Sequence, residues 1–159
     1  MTRLRVPLTT LLLTATTLAA QQSPLARAVE LERRGEYAAA ATLYRTALES
    51  APADLTALLG LERSLTPLGR GAEVAPAVSA ALAANPDALV LYGVAVRAWT
   101  LARQPDSVRA VVARWAEREP GSEAPWQEWG MAALQVRDRV AARAAYRSGR
   151  EALGQADAL

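Results

Sequence analysis

Apolar and small residues recur along this chain on a long beat, and prolines mark it. Pro52, Pro86 and Pro120 stand 34 residues apart, and each closes a stretch that reads as helix: YRTALESAPAD, VSAALAANPDA and VVARWAEREPGS. Proline just beyond a helix end stops it, because the ring removes an N–H donor and clashes with the preceding turn. Counting in 34s from these prolines divides the chain into windows 21–54, 55–88, 89–122 and 123–154, with a short tail 155–159.

The columns of that register test it. The fourth residues are Pro24, Leu58, Tyr92 and Trp126, and the seventh are Arg27, Leu61, Ala95 and Trp129. The eighth are Ala28, Glu62, Val96 and Gly130, and the eleventh are Leu31, Leu65, Trp99 and Ala133. In the second half of each window the twentieth residues are Ala40, Val74, Val108 and Ala142. The twenty-fourth are Tyr44, Val78, Val112 and Tyr146, and the twenty-seventh are Ala47, Ala81, Trp115 and Gly149. Arg27 and Glu62 are the two charged residues among these 28 positions, where the chain average of 21% charged residues would put about six. Depletion of charge at a fixed spacing marks inward-facing positions.

The motifs name a family. WQEWGMA, from Trp126 to Ala132, resembles the opening of a tetratricopeptide repeat. RRGEYAAAATLYRTALESAP, from Arg33 to Pro52, resembles its closing half, with Gly35 and Tyr37 at the turn and Ala40, Tyr44, Ala47 and Pro52 following. The resemblance covers about residues 21–154. It implies an all-α fold: an α-solenoid of about four antiparallel helical hairpins wound as a right-handed superhelix. Such an array buries a continuous core only by stacking neighbours. The second window departs from the pattern. Glu62 replaces a small residue, and Pro67 and Pro76 fall where helices should run, so its second helix is expected to be short or bent. In the third window Trp115 replaces a small residue and needs extra room, expected against the next hairpin. The last helix is expected over 140–153, with Gly154 as its stop and one side uncovered.

Residues 1–20, MTRLRVPLTTLLLTATTLAA, place Arg3 and Arg5 before an acid-free, mildly apolar run that ends in small residues. This is the layout of a secretory signal peptide, or otherwise of an uncleaved N-terminal anchor. The expected location is therefore periplasmic or secreted. Removing those twenty residues lowers the basic count from 18 to 16 against 16 acids, so the formal charge of +2 leaves with them. A neutral chain gives no case for nucleic-acid binding, which needs a clustered positive face.

Composition narrows the chemistry. The chain has no cysteine and no histidine, which removes thiolate metal sites, disulfides and the usual imidazole base. Carboxylate pairs two apart, such as Glu30 with Glu32 or Glu117 with Glu119, diverge by roughly 200° on a helix. No phosphate loop or nucleophile elbow is present. No catalytic residue, metal or cofactor is expected. The resemblance implies instead that the first helix of each hairpin lines a concave groove. The ninth residues, Val29, Arg63, Arg97 and Met131, would then point into it, with Arg33, Thr100, Gln127 and Gln135 on the same face. Arg63 and Arg97 would stack as a column able to hold a carboxylate or an acidic peptide bidentately. The competing reading pairs them with neighbouring acids such as Glu32 or Glu62. Three roles follow: a scaffold or adaptor for a protein or peptide; a structural subunit that self-associates or extends a solenoid through its bare last helix; or a small-ligand or glycan receptor that uses exposed tryptophans.

Overall fold

The computed structural model describes residues 23–156. The expected export segment, 1–20, lies outside them. Eight α-helices follow in order: α1 (Pro24–Arg33), α2 (Tyr37–Ser50), α3 (Leu55–Leu65), α4 (Ala75–Ala84), α5 (Val90–Leu101), α6 (Pro105–Arg118), α7 (Ala124–Gln135) and α8 (Arg139–Ala156), with a 3-10 turn at Gly71–Val74 before α4. No strand is present among the described residues. The helices α1–α2, α5–α6 and α7–α8 pair as hairpins of an α-solenoid; in the second hairpin α3 and α4 meet through the 3-10 turn, which packs on both, and α4 also packs on α5.

Two backbone devices repeat every 34 residues and set this architecture. The first joins hairpins. The residue before each proline is pushed out of the helical region by the pyrrolidine ring. Ala51, Asn85 and Glu119 accordingly share nearly one conformation, with φ of −141°, −140° and −125° and ψ of 80°, 80° and 70°. Each then opens a β-turn with proline second: the N–H groups of Asp54, Ala88 and Ser122 donate to the carbonyls of Ala51, Asn85 and Glu119.

The second device closes each hairpin. Gly35, Gly69, Arg103 and Arg137 all have positive φ, at 77°, 68°, 57° and 59°. Beside each, the next N–H reaches back five residues. Glu36, Arg70, Gln104 and Asp138 donate to the carbonyls of Leu31, Leu65, Trp99 and Ala133 at 2.8 to 3.0 Å. This is the Schellman ending, which needs a left-handed residue. Glycine supplies that conformation freely; the two arginines adopt it at a cost of roughly 1 kcal/mol each.

Of the 28 column positions, 20 are buried and five are half-buried. Pro24 and Arg27 are exposed on α1, where no described hairpin precedes, and Tyr146 is exposed on α8, where none follows. The core runs through Tyr44, Leu58, Leu61, Leu65, Val78, Tyr92, Val96 and Trp129. The second hairpin carries the expected irregularity. Its first helix stops at Leu65 ahead of Pro67, and α4 has ten residues with Pro76 in its first turn. The 3-10 turn fills the gap and packs against α5. There Gly71 lies so close beneath Leu101 that an added Cβ would come 2.6 Å from Leu101 Cδ1.

Two expectations are corrected. Trp115 finds its room inside its own hairpin: its ring centroid lies 6.1 Å from that of Tyr92 on α5, beside Gly93, and its Nε1 donates to Glu119. Gly154 does not stop the last helix, which continues to Ala156. Glycine merely permits a break, at a cost of ~1 kcal/mol inside a helix, whereas proline enforces one.

Candidate binding face of the first helices

On α7 the residues Gln127, Met131, Leu134 and Gln135 are spaced by four, three and one, which puts them on one stripe of a helix. All four are exposed, Met131 and Leu134 each by about half. On α5 the same stripe holds Val90, Arg97, Thr100 and Leu101, and on α3 and the residue that ends it stand Arg63 and Thr66. The opposite sides of these helices are in the core, so the stripes form one face. Its apolar members lie in the third and fourth hairpins, with Val90, Leu101, Met131 and Leu134 between 44% and 51% exposed.

The two arginines of the column are already engaged. Arg63 holds Glu32 of α1 with both prongs of its guanidinium, Nε to Oε1 at 2.6 Å and Nη2 to Oε2 at 3.0 Å. Arg97 does the same to Glu62 of α3, at 2.7 and 3.0 Å, and turns its remaining Nη1 to Glu128 of α7 at 2.7 Å. Every first helix is thereby tied to a neighbour: α1 to α3, and α3 to α5 to α7. Glu62, one of the two charged residues in the inward columns, is a carboxylate that Arg97 holds.

Electrostatics follow the geometry. The Arg63 hydrogen bond holds the Glu32 carboxyl below its ordinary value against the opposing effect of burial. Burial, then the hydrogen bond to Glu32, pushes the Tyr44 phenol up to about 12; its hydroxyl donates to Glu32 Oε2 at 2.6 Å. The bond to Glu62 raises Arg97 further above an already high value. Two guanidinium groups and three carboxylates make up the ladder, so it presents no surplus positive charge to an anionic ligand.

The other candidates stand apart from this ladder. Arg33 is 78% exposed and comes no nearer than 3.9 Å to Glu30. Thr100 turns its hydroxyl back to the Val96 carbonyl at 2.7 Å, and the Gln127 amide donates to Glu123 at 2.6 Å. Met131 and Gln135 stand open on α7. Sequence reasoning missed Glu128 and Leu134. Leu134 was within reach, since it lies three residues after Met131 on the same stripe; Glu128 is visible only once α5 and α7 are side by side. Trp115 and Trp129 are buried, and Trp99 and Trp126 are half-buried against the core, which assigns the indoles to packing.

No family model matches the chain, and no curated protein does. Among solved structures it is similar to the MamA RS-1 ArsTM double mutant, at 17% identity and TM-score 0.57 over 89% of this chain and 82% of that one. It is also similar to MamA 41-end from Desulfovibrio magneticus RS-1, at 18% identity and TM-score 0.56 over 83% and 74% of the two chains. A third likeness is to TTC0263, a thermophilic TPR protein in Thermus thermophilus, at 24% identity and TM-score 0.50 over 81% and 72%. At these identities the likeness is one of fold, a tetratricopeptide-like solenoid.

Proposed function

We propose that this chain is a non-catalytic scaffold that holds a protein or peptide segment along the face of its first helices, in the bacterial cell envelope. The carrying observation is the open apolar stripe of Val90, Leu101, Met131 and Leu134, set on helices whose other sides are packed. Exposed apolar area concentrated on one face is a feature of interaction surfaces. The arginine ladder favours an apolar or mixed occupant over an acidic one, because Glu32, Glu62 and Glu128 already fill its forks. It also braces the wall before any ligand arrives, which lowers the ordering cost of binding. The envelope assignment rests on the sequence of residues 1–20.

A photo-crosslinking residue at Met131, compared with one at exposed Ala113 on α6, tests the face. The expected result is a discrete adduct from Met131 that vanishes with Leu134→Glu and has no counterpart from Ala113. Identical products from both positions refute the reading. For the location, residues 1–22 fused to a reporter active only outside the cytoplasm should give activity; an inactive fusion removes the envelope from the proposal.

A further inference from the structure

The last helix leaves one side uncovered, and that side has a definite chemistry. Arg139, Arg143, Arg147 and Arg150 recur at intervals of four, four and three, so at 100° per residue they share an arc of roughly 80°. All four are exposed, and none forms an ion pair with an acid among the described residues. Beside them Tyr146 and Leu153 border a cleft of about 180 Å³ that Trp126, Gly149 and Arg150 also line, with Glu123 and Gln127 at its α7 edge.

The first junction of the array shows what such a side receives. Tyr44 occupies the same register as Tyr146, and its ring sits on Gly60 of α3, the first helix of the following hairpin. Tyr44 is fully buried there, whereas Tyr146 is 46% exposed. The outer side of α8 is thus the seat of a first helix, with four guanidinium groups added. We propose that α8 docks an acidic α-helix of another protein in the place of a fifth first helix, with carboxylates facing the arginines and a small residue over Tyr146. Guanidinium forks take carboxylates bidentately. A second copy of this chain offers the wrong charge. The surface charges of its α1 and the turn after it are Arg27, Arg33 and Arg34 against Glu30 and Glu36, a net positive set, and Arg34 already holds Glu30 at 2.9 Å. Stacking α1 on α8 would set arginine against arginine.

The probe is a designed helical peptide with glutamates at four-residue spacing around a central glycine; its glutamine counterpart and phosphatidylglycerol vesicles serve as comparisons. Fluorescence anisotropy with the full chain should show saturable binding of the glutamate helix. Binding should weaken at least about tenfold for the glutamine helix and for Arg143→Glu/Arg150→Glu, and less for Arg143→Gln/Arg150→Gln should the reversal disturb folding. Arg114→Glu, an exposed change on α6, should leave it unaltered. Hydrogen exchange should slow over residues 146–153 when the peptide binds. Equal binding of both peptides overturns the proposal, as does insensitivity to the α8 variants. Vesicles that displace the glutamate helix would assign the surface to lipid, and a dimer of the chain abolished by the α8 variants would assign it to a second copy; either result overturns the acidic-helix reading. None of these outcomes touches the Met131 face, so the two proposals fail separately.

Discussion

Arg97→Met tests whether the ladder holds the array together. Methionine keeps an unbranched, largely apolar stem and removes the charge. The wild-type guanidinium makes three charge-assisted hydrogen bonds, to carboxylates that are 18% and 20% exposed, while itself being 34% exposed. Removing one partner from a buried pair costs about 3–5 kcal/mol, and from an exposed pair about 0–1 kcal/mol. Arg97 lies between these limits, so a loss of about 2 kcal/mol is expected. With a urea slope near 2 kcal/mol/M, the midpoint should fall by about 1 M. Most of that cost is the isolation of Glu62 and Glu128, so adding Glu62→Gln and Glu128→Gln should recover about half of it. The slope should also fall, because Arg97 links α3 to α5 and weakening that junction lets the two halves of the solenoid unfold apart. A single variant within about 0.5 kcal/mol of wild type refutes the reasoning, and so does a triple variant no more stable than the single one.

Four further outcomes are expected. In an ultraviolet titration one tyrosine should ionise near pH 12, and Tyr44→Phe should remove that component. The raised value means that Tyr44 contributes stability in full below its ordinary value of 10.0 and loses it as pH rises through about 12. Glu32 acts in the opposite sense, contributing in full above 4.5 and losing it as pH falls through its lowered folded value, so Glu32→Gln should flatten the acid limb of the stability profile. Arg103→Gly and Arg137→Gly should each stabilise by about 1 kcal/mol in chemical denaturation, by relieving left-handed backbone at a non-glycine residue. Ser64→Ala should be neutral or stabilise by up to about 1 kcal/mol, because the Ser64 hydroxyl is fully buried without a hydrogen-bond partner and Ala98 and Ala132 hold its register elsewhere.

The fold was legible where a local rule repeats. Proline dictates the conformation of the residue before it, so Pro52, Pro86 and Pro120 announced three turns without any knowledge of their surroundings. The other periodic device was half hidden: Gly35 and Gly69 advertise a left-handed position, but Arg103 and Arg137 occupy the same place with no such signature. Burial columns were legible for the same reason as the prolines, since a solenoid repeats its environment. The candidate face was read less completely. Arg63 and Arg97 were found by register, but their acids lie 31 residues away in Glu32 and Glu128 and 35 in Glu62. Those separations follow from how neighbouring helices lean together, which no single window encodes. The competition for a guanidinium between its own chain and a ligand is a three-dimensional question.

Tyr44 and Tyr146 carry the point further. They share one residue type and one register, yet they meet different glycines: Tyr44 lies over Gly60 of the next hairpin, and Tyr146 over Gly130 of its own, where an added Cβ would stand 2.7 Å from the ring. Where the column holds valine, at Val78 and Val112, the sixth residues of the next windows are the larger Val94 and Glu128, in place of the Gly60 that follows Tyr44. Close packing makes a large side chain face a small one, as Tyr44 faces Gly60. A repeat sequence therefore records both sides of every internal junction. At the outer side of α8 it records one side alone, and that side specifies a small residue over Tyr146 and negative charge over the arginines.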